Sequence, residues 1–127
     1  MNYLLDVNAL IAWHHPDPAD RHERVHAWWA RVKPSELSTC AIVDLGFLRV
    51  SMRIYGYDRE TARDALELVK RDVTGYVGNL PPPRLARWVL SHKQTTDAYL
   101  CQLAAAHGLQ LATFDNGIKD KAAFLIS

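Results

Sequence analysis

The chain is predicted to fold as an α/β protein, a three-layer α/β/α sandwich around a mostly parallel central sheet. Three observations predict it. Short apolar runs such as Tyr3 to Val7 and Leu109 to Phe114 alternate with segments of helical period. Successive strands are separated by helices rather than by tight turns, which favours parallel pairing with both sheet faces covered. The 127 residues, 49% of them hydrophobic, contain no internal repeat, low-complexity tract or linker, so residues 1–127 are expected to form a single domain.

The first strand runs from Tyr3 to Val7, and Ala9 to Trp13 continues as helix until His14-His15-Pro16-Asp17-Pro18 breaks it, since proline lacks the N–H donor and disfavours helical angles before it. Val25, Trp28, Trp29 and Val32 then recur at i, i+3, i+4 and i+7, one face of an amphipathic helix from about Asp20, a candidate cap, to Lys33. Glu36 to Cys40 is a second strand. It feeds a dense apolar helix carrying Ile42, Val43, Leu45, Phe47, Leu48 and Val50, expected to be buried on most sides. Asp58 caps a further helix whose Ala62, Ala65, Leu66 and Val69 share one face. Tyr76-Val77 suggests a third strand, and Pro81-Pro82-Pro83 the entry to a short helix reaching Ser91. Thr95 or Thr96 caps the last helix, Gly108 stops it, and strands follow at Leu109–Phe114 and Ala123–Ile126.

Composition excludes more than it identifies. The net charge of +1, from 15 basic and 14 acidic residues, gives no global basic field for nucleic acid, so such binding has to rest on local arrangement. Cys40 and Cys101 stand among apolar neighbours in no ligand-spaced cluster, which reads as buried, reduced thiols in a cytoplasmic protein. No basic leader, cleavage site or membrane-length apolar run is visible.

Four acids carry the chemistry. Asp6 and Asp115 end strands, and in open parallel sheets ligands bind beyond the carboxyl ends of strands. Asp44 and Asp97 lie near helix starts, where the fold can bring them to the same place. Carboxylates about 4 Å apart repel by roughly 4 kcal/mol at an effective dielectric near 20, so a cluster needs protons or a cation. An all-oxygen set without a Cys or His cluster favours Mg²⁺, with Mn²⁺ as a substitute, and such ions support phosphodiester hydrolysis. Each acid also has a plainer reading. Asp6 can be a turn residue, Asp97 can favour its helix dipole, and Asp115 can open a turn in which Asn116-Gly117 adopts positive φ. Asp44 is different, because it interrupts an apolar helix where an unpaired charge is costly, and so requires a polar cavity or a partner.

In order and spacing these motifs resemble those of PIN-domain proteins, and more narrowly the VapC-type ribonuclease toxins of type II toxin–antitoxin pairs. Leu4-Leu5-Asp6-Val7-Asn8-Ala9-Leu10 resembles the family's opening strand and first acid; Asp44-Leu45-Gly46-Phe47-Leu48-Arg49-Val50 its second acidic motif; Thr96-Asp97-Ala98-Tyr99-Leu100 and Leu111-Ala112-Thr113-Phe114-Asp115 its third and fourth. The resemblance runs end to end. It implies a PIN-like fold and an Mg²⁺- or Mn²⁺-dependent endoribonuclease, dimeric, neutralised by a VapB-type antitoxin that lays a tail across the acidic groove. Asp6, Asp44, Asp97 and Asp115 would then be both the catalytic and the metal-binding residues. One departure is that the family's second acid is usually Glu, so at Asp44 the carboxylate is retracted by one methylene. That departure motivates an alternative, a catalytically weak PIN-like binding module regulated by or sequestering an antitoxin. A phosphoacceptor receiver domain shares the α/β plan but lacks here its paired acids and late lysine.

Supporting roles fall to Asn8, which orients Asp6 or a metal-bound water and caps the first helix; to Thr113, whose side chain points the same way as Asp115; and to Asn116 in the loop. RNA phosphates need cations, for which Arg49 and Arg53 at i, i+4 and Arg84, Arg87 and Lys93 on the later helix are candidates. His14 and His15 have no further ligands at metal spacing, and the phase of Trp28 and Trp29 favours core or dimer packing over base stacking.

Overall fold

The computed structural model describes residues 2–127. Its strands are β1 (Tyr3–Leu5), β2 (Leu37–Cys40), β3 (Gly75–Val77), β4 (Gln110–Thr113) and β5 (Ala123–Leu125), and they form one sheet in the order β3-β2-β1-β4-β5. Every neighbouring pair is parallel. The helices are α1 (Val7–His14), α2 (Ala19–Trp29), α3 (Ala41–Arg53), α4 (Arg59–Val69) and α5 (Thr95–Ala106). The five expected strands are all present, and the sheet is wholly parallel.

Central strands covered on both faces should be apolar at successive positions, not only at alternate ones. Leu4 and Leu5 of β1 and Leu111 and Ala112 of β4 are accordingly fully buried. Trp28 of α2 packs edge-on to Tyr3 at 5.0 Å between ring centroids and also meets Phe124, which places the Trp28-Trp29 pair in the core. α1 packs against α2, α3 and α4, while α5 packs on β4.

Strand order locates the site. The chain steps outward from β1 to β2 to β3, then crosses to the other side of β1 to lay down β4 and β5. The direction of winding therefore reverses between β1 and β4, and a crevice opens beyond their carboxyl ends. Asp6 follows β1 directly, and Asp115 lies two residues beyond β4.

Four local expectations are corrected. Residues 78–91 form no helix; a proline that follows another residue biases it toward extended angles, so Pro81 and Pro82 are held extended. Side chains of α5 secure that segment instead: Tyr99 Oη donates to Pro81 O, Gln102 Nε2 to Pro82 O, and Arg84 N to Gln102 Oε1. Neither Thr95 nor Thr96 caps α5, because a single 3₁₀ turn, His92–Gln94, precedes it, with Ser91 and Gln94 forming a capping box. Asp20 lies within the first turn of α2, whose cap position is Pro18. α3 buries one face through Val43, Gly46, Phe47 and Ser51, but leaves Leu45 62% and Met52 45% exposed. Asp58 and Gly108 act as expected, Asp58 accepting from Thr61 N and Gly108 adopting φ +68° after α5.

Gly46 sets the distance between α1 and α3. A Cβ built there would lie 2.5 Å from Val7 Cγ2, and Val7 is β-branched at the first position of α1, so it cannot swing clear cheaply. Gly46→Ala is expected to destabilise the protein by about 1–2 kcal/mol despite alanine's better helix propensity. Urea unfolding would measure it.

Candidate active site

The crevice between β1 and β4 is organised around one hydroxyl. Asp6 is 5% exposed and is the N-cap of α1, its Oδ1 accepting from Val7 N at 2.7 Å. Its Oδ2 accepts from Thr113 Oγ1 at 2.7 Å. The same Oγ1 accepts from Asn8 Nδ2 at 3.1 Å and from Asp115 N at 3.0 Å, and Asn8 Oδ1 accepts from Phe114 N at 3.1 Å. A threonine hydroxyl has one proton and two acceptor sites, and all three are committed here. Parallel register explains the meeting, since Leu5 pairs with Ala112 and the next residues, Asp6 and Thr113, come side by side. Asn8 does not cap α1, because Asp6 already does; it ties that helix to the end of β4.

Asp115 is exposed, and its Oδ1 accepts from Gly117 N at 2.8 Å. The aspartate side chain closes this turn, so neither Asn116 nor Gly117 needs the positive φ anticipated for them. Asn116 is exposed and its side chain makes no hydrogen bond among the described residues. Asp97, in the first turn of α5, borders the same cavity as Asp6, and its carboxylate has neither a hydrogen bond nor an ion pair among the described residues.

The electrostatics join three of the four acids. Burial, then Asp6, then Asp115 push Asp97 up to about 6. Burial also raises Asp6, opposed by its bonds from Thr113 and Val7 and assisted by Asp115. Asp44 stands apart from this group. Its Oδ2 is paired with Lys70 Nζ, which also lies 5.0 Å from the ring centroid of Tyr76, and its Oδ1 is buried without a partner. The partner that an acid inside an apolar helix required is thus Lys70, at the end of α4. Nothing local in the sequence singled out Lys70, because its contact with Asp44 depends on how α4 packs on α3.

The expected RNA cations lie elsewhere. Arg49 and Arg53 are exposed on α3 beside Leu45, Leu48 and Met52. Arg84 and Arg87 stand on an irregular segment rather than a helix, and Lys93 in the 3₁₀ turn before α5. The cavity that adjoins Asp6 and Asp97 is lined instead by Arg21, with Asn8, Asp17 and Tyr55. His14 and His15 are engaged with Tyr57 Oη and Ser51 Oγ respectively.

Among the described residues no three His, Cys, Asp or Glu side chains converge closely enough to enclose an ion as they stand. The donor set nonetheless suits a hard divalent cation. All its atoms are carboxylate oxygens, burial and neighbouring carboxylates raise both Asp6 and Asp97, and Mg²⁺ characteristically takes only one or two carboxylates directly and the rest through water.

Asp97 sets a pH dependence. Its folded value lies above the ordinary 3.8, so the fold favours the protonated form; that contribution is present below about pH 4 and is lost as pH rises through about 6. In EDTA, Asp97→Asn is therefore expected to melt a few degrees above wild type at pH 7, and the gap is expected to close towards pH 4. Paired thermal melts check this.

Residues 3–124 match the PIN domain family. Ribonuclease VapC44 of Mycobacterium tuberculosis is 37% identical over 127 residues, spanning 93% of this chain and 89% of the relative. Ribonucleases VapC38 and VapC29 of the same organism are each 32% identical, spanning 91% and 93% of this chain and 86% and 89% of their own lengths. The crystal structure of VapBC2 from Rickettsia felis, bound to a DNA fragment from their promoter, superposes with a TM-score of 0.63 at 12% identity, covering 98% of this chain and 97% of that one.

Proposed function

Because the chain belongs to the PIN-domain family, and within it to the VapC-type proteins, we propose that it is a divalent-metal-dependent endoribonuclease, the toxin of a VapBC-type pair. The observation that carries this reading is the meeting of Asp6 and Asp97 at one cavity beyond β1 and β4, both raised by burial and further by the charge of Asp115, with no ion pair to either among the described residues. Such a group is a poor structural element on its own and a good receptacle for a cation.

Asp6, Asp97 and Asp115 would hold Mg²⁺ or Mn²⁺, with Asp44 at the margin. When bound, such an ion lowers the pKa of water and stabilises charge on the reacting phosphate. The chain's own part is to aim the carboxylates. Thr113 fixes one oxygen of Asp6 and α1 the other, while Gly117 N fixes Oδ1 of Asp115. Asp97 accepts no hydrogen bond among the described residues, which lets it answer to a ligand. A cytoplasmic RNA substrate and a VapB-type antitoxin are the partners of this reading, and a homodimer its assembly. No helix among the described residues is long and apolar enough to cross a membrane.

The ion pair of Asp44 with Lys70 favours a second reading, a weakly catalytic binding module, since the second acid is already neutralised. Cleavage of a mixed RNA pool in Mg²⁺, Mn²⁺ or EDTA separates the two. Metal-dependent cutting by wild type, raised about tenfold in Asp44→Glu because the longer side chain reaches further into the site, is the expected result. No cutting by either protein in any metal would support the binding module.

A further inference from the structure

Beside the carboxylates lies a cavity of about 320 Å³ bordered by Asp6, Asn8, Asp97, Asp17, Arg21 and Tyr55. We propose that this cavity is a nucleotide subsite, in which the ring of Tyr55 stacks on one base of single-stranded RNA and Arg21 contacts an adjoining phosphate. The inference rests on the nuclease reading and adds to it the place where substrate is held.

Tyr55 is a prepared surface. His15 stacks on it with 3.5 Å between ring centroids and 9° between planes, and Tyr55 Oη donates to Asp17 O at 3.0 Å. His15 is itself buried and shares a hydrogen bond with Ser51 Oγ at 3.3 Å. Burial, and then neighbouring His14, hold His15 down to about 4, so the stack remains uncharged across the physiological range. An aromatic ring backed on one side, tethered at its hydroxyl and half-buried beside a cavity loses little freedom when a base arrives. Unpaired bases of single-stranded RNA are commonly held in this way, on aromatic faces.

Arg21 supplies the charge. It is exposed, lies 5.4 Å from the Phe114 ring centroid, and has no carboxylate partner among the described residues, whereas Arg24 on the same helix pairs with Asp20 at 3.3 Å. A guanidinium without a carboxylate partner offers a phosphate contact at the rim of a cavity whose other charged side chains, Asp6, Asp17 and Asp97, are acidic. The flat, backed ring and the guanidinium offer a base contact and a phosphate contact side by side, which favours a nucleotide as the occupant. Adjacency to Asp6 and Asp97 then places the held nucleotide next to the bond to be cut.

The test is fluorescence anisotropy of 12-nucleotide oligo(A) and oligo(U) RNAs in EDTA, where metal-dependent cleavage is suppressed. Tyr55→Leu is expected to weaken binding roughly 5- to 100-fold, with Tyr55→Phe restoring most of the loss because the ring is kept. Arg21→Gln is expected to weaken binding of both RNAs and to lower the salt slope by about one phosphate contact. Photocrosslinking of wild type to a 4-thiouridine-substituted RNA, with the adduct located by mass spectrometry, is expected to mark Tyr55 and does not depend on any variant folding. If wild type cuts RNA but Tyr55→Leu binds it equally well, or Tyr55→Phe loses as much as Tyr55→Leu, or the adduct lies away from Tyr55, the subsite is overturned and the nuclease stands. If wild type neither binds nor cuts RNA, both fall together.

Discussion

Asparagine in place of Asp6 is expected to reduce metal-dependent RNA cleavage by about 10³-fold, the upper end of what removal of one well-placed electrostatic group costs. The expectation is strong because the substitution is selective. Asparagine is as good an N-cap as aspartate, so its side-chain oxygen can still accept from Val7 N and α1 keeps its start. It can also still accept from Thr113 Oγ1 or meet it with an N–H, so the fold loses little. What disappears is the charge. Asp97 and Asp115 would then face one carboxylate fewer, and Asp97, raised in part by Asp6, would ionise more readily. A single-turnover rate for Asp6→Asn within tenfold of wild type, at equal folded fraction, would remove Asp6 from the metal site.

Thr113→Val is expected to cost about 3.5–5 kcal/mol of stability. It is nearly isosteric, so no cavity term enters. The loss is three hydrogen bonds, one of them to a carboxylate, at roughly 1 kcal/mol for each neutral bond and about 1.5–3 kcal/mol for the charged one. It also strands three partners: Asp6 Oδ2, Asn8 Nδ2 and Asp115 N. Because Asp6 is buried and already raised, losing the Thr113 proton should raise it further, so the variant should also need more metal. Chemical denaturation reads the first effect and a metal titration of cleavage the second. Thr113→Ser, which retains the hydroxyl, should recover most of both.

Legibility in the sequence followed the range of each interaction. β1 and β4 were readable because they lie in apolar runs, Tyr3 to Val7 and Leu109 to Phe114, and Asp6 and Asp115 because they stand at the ends of those runs. Asp58 and Gly108 were readable because a cap and a left-handed stop act within a few residues. The segment after Pro83 was not, since the bonds that hold it come from Tyr99 and Gln102 on α5. Lys70 was invisible for the same reason, its partner Asp44 lying 26 residues earlier. Arg21 and Tyr55 carry no motif; they gain meaning only when the start of α2 and the turn after α3 meet beside Asp6. The dense apolar composition of α3 misled in the other direction, because hydrophobicity alone does not say which face meets the core, and Leu45 and Met52 remain outside.

Those outward side chains bear on how copies of the protein can meet. The two borders of the sheet are β3 and β5, each only three residues long. A border so short offers too few free main-chain donors and acceptors to recruit a foreign strand, so growth of the sheet from one molecule into the next is suppressed. Any meeting of copies is thereby left to helical surfaces, of which α3 exposes Leu45, Met52 and, just beyond its end, Ile54, 64% exposed. The brevity of the borders thus works as a safeguard against fibrous assembly, and it leaves side-chain complementarity to decide which molecules pair.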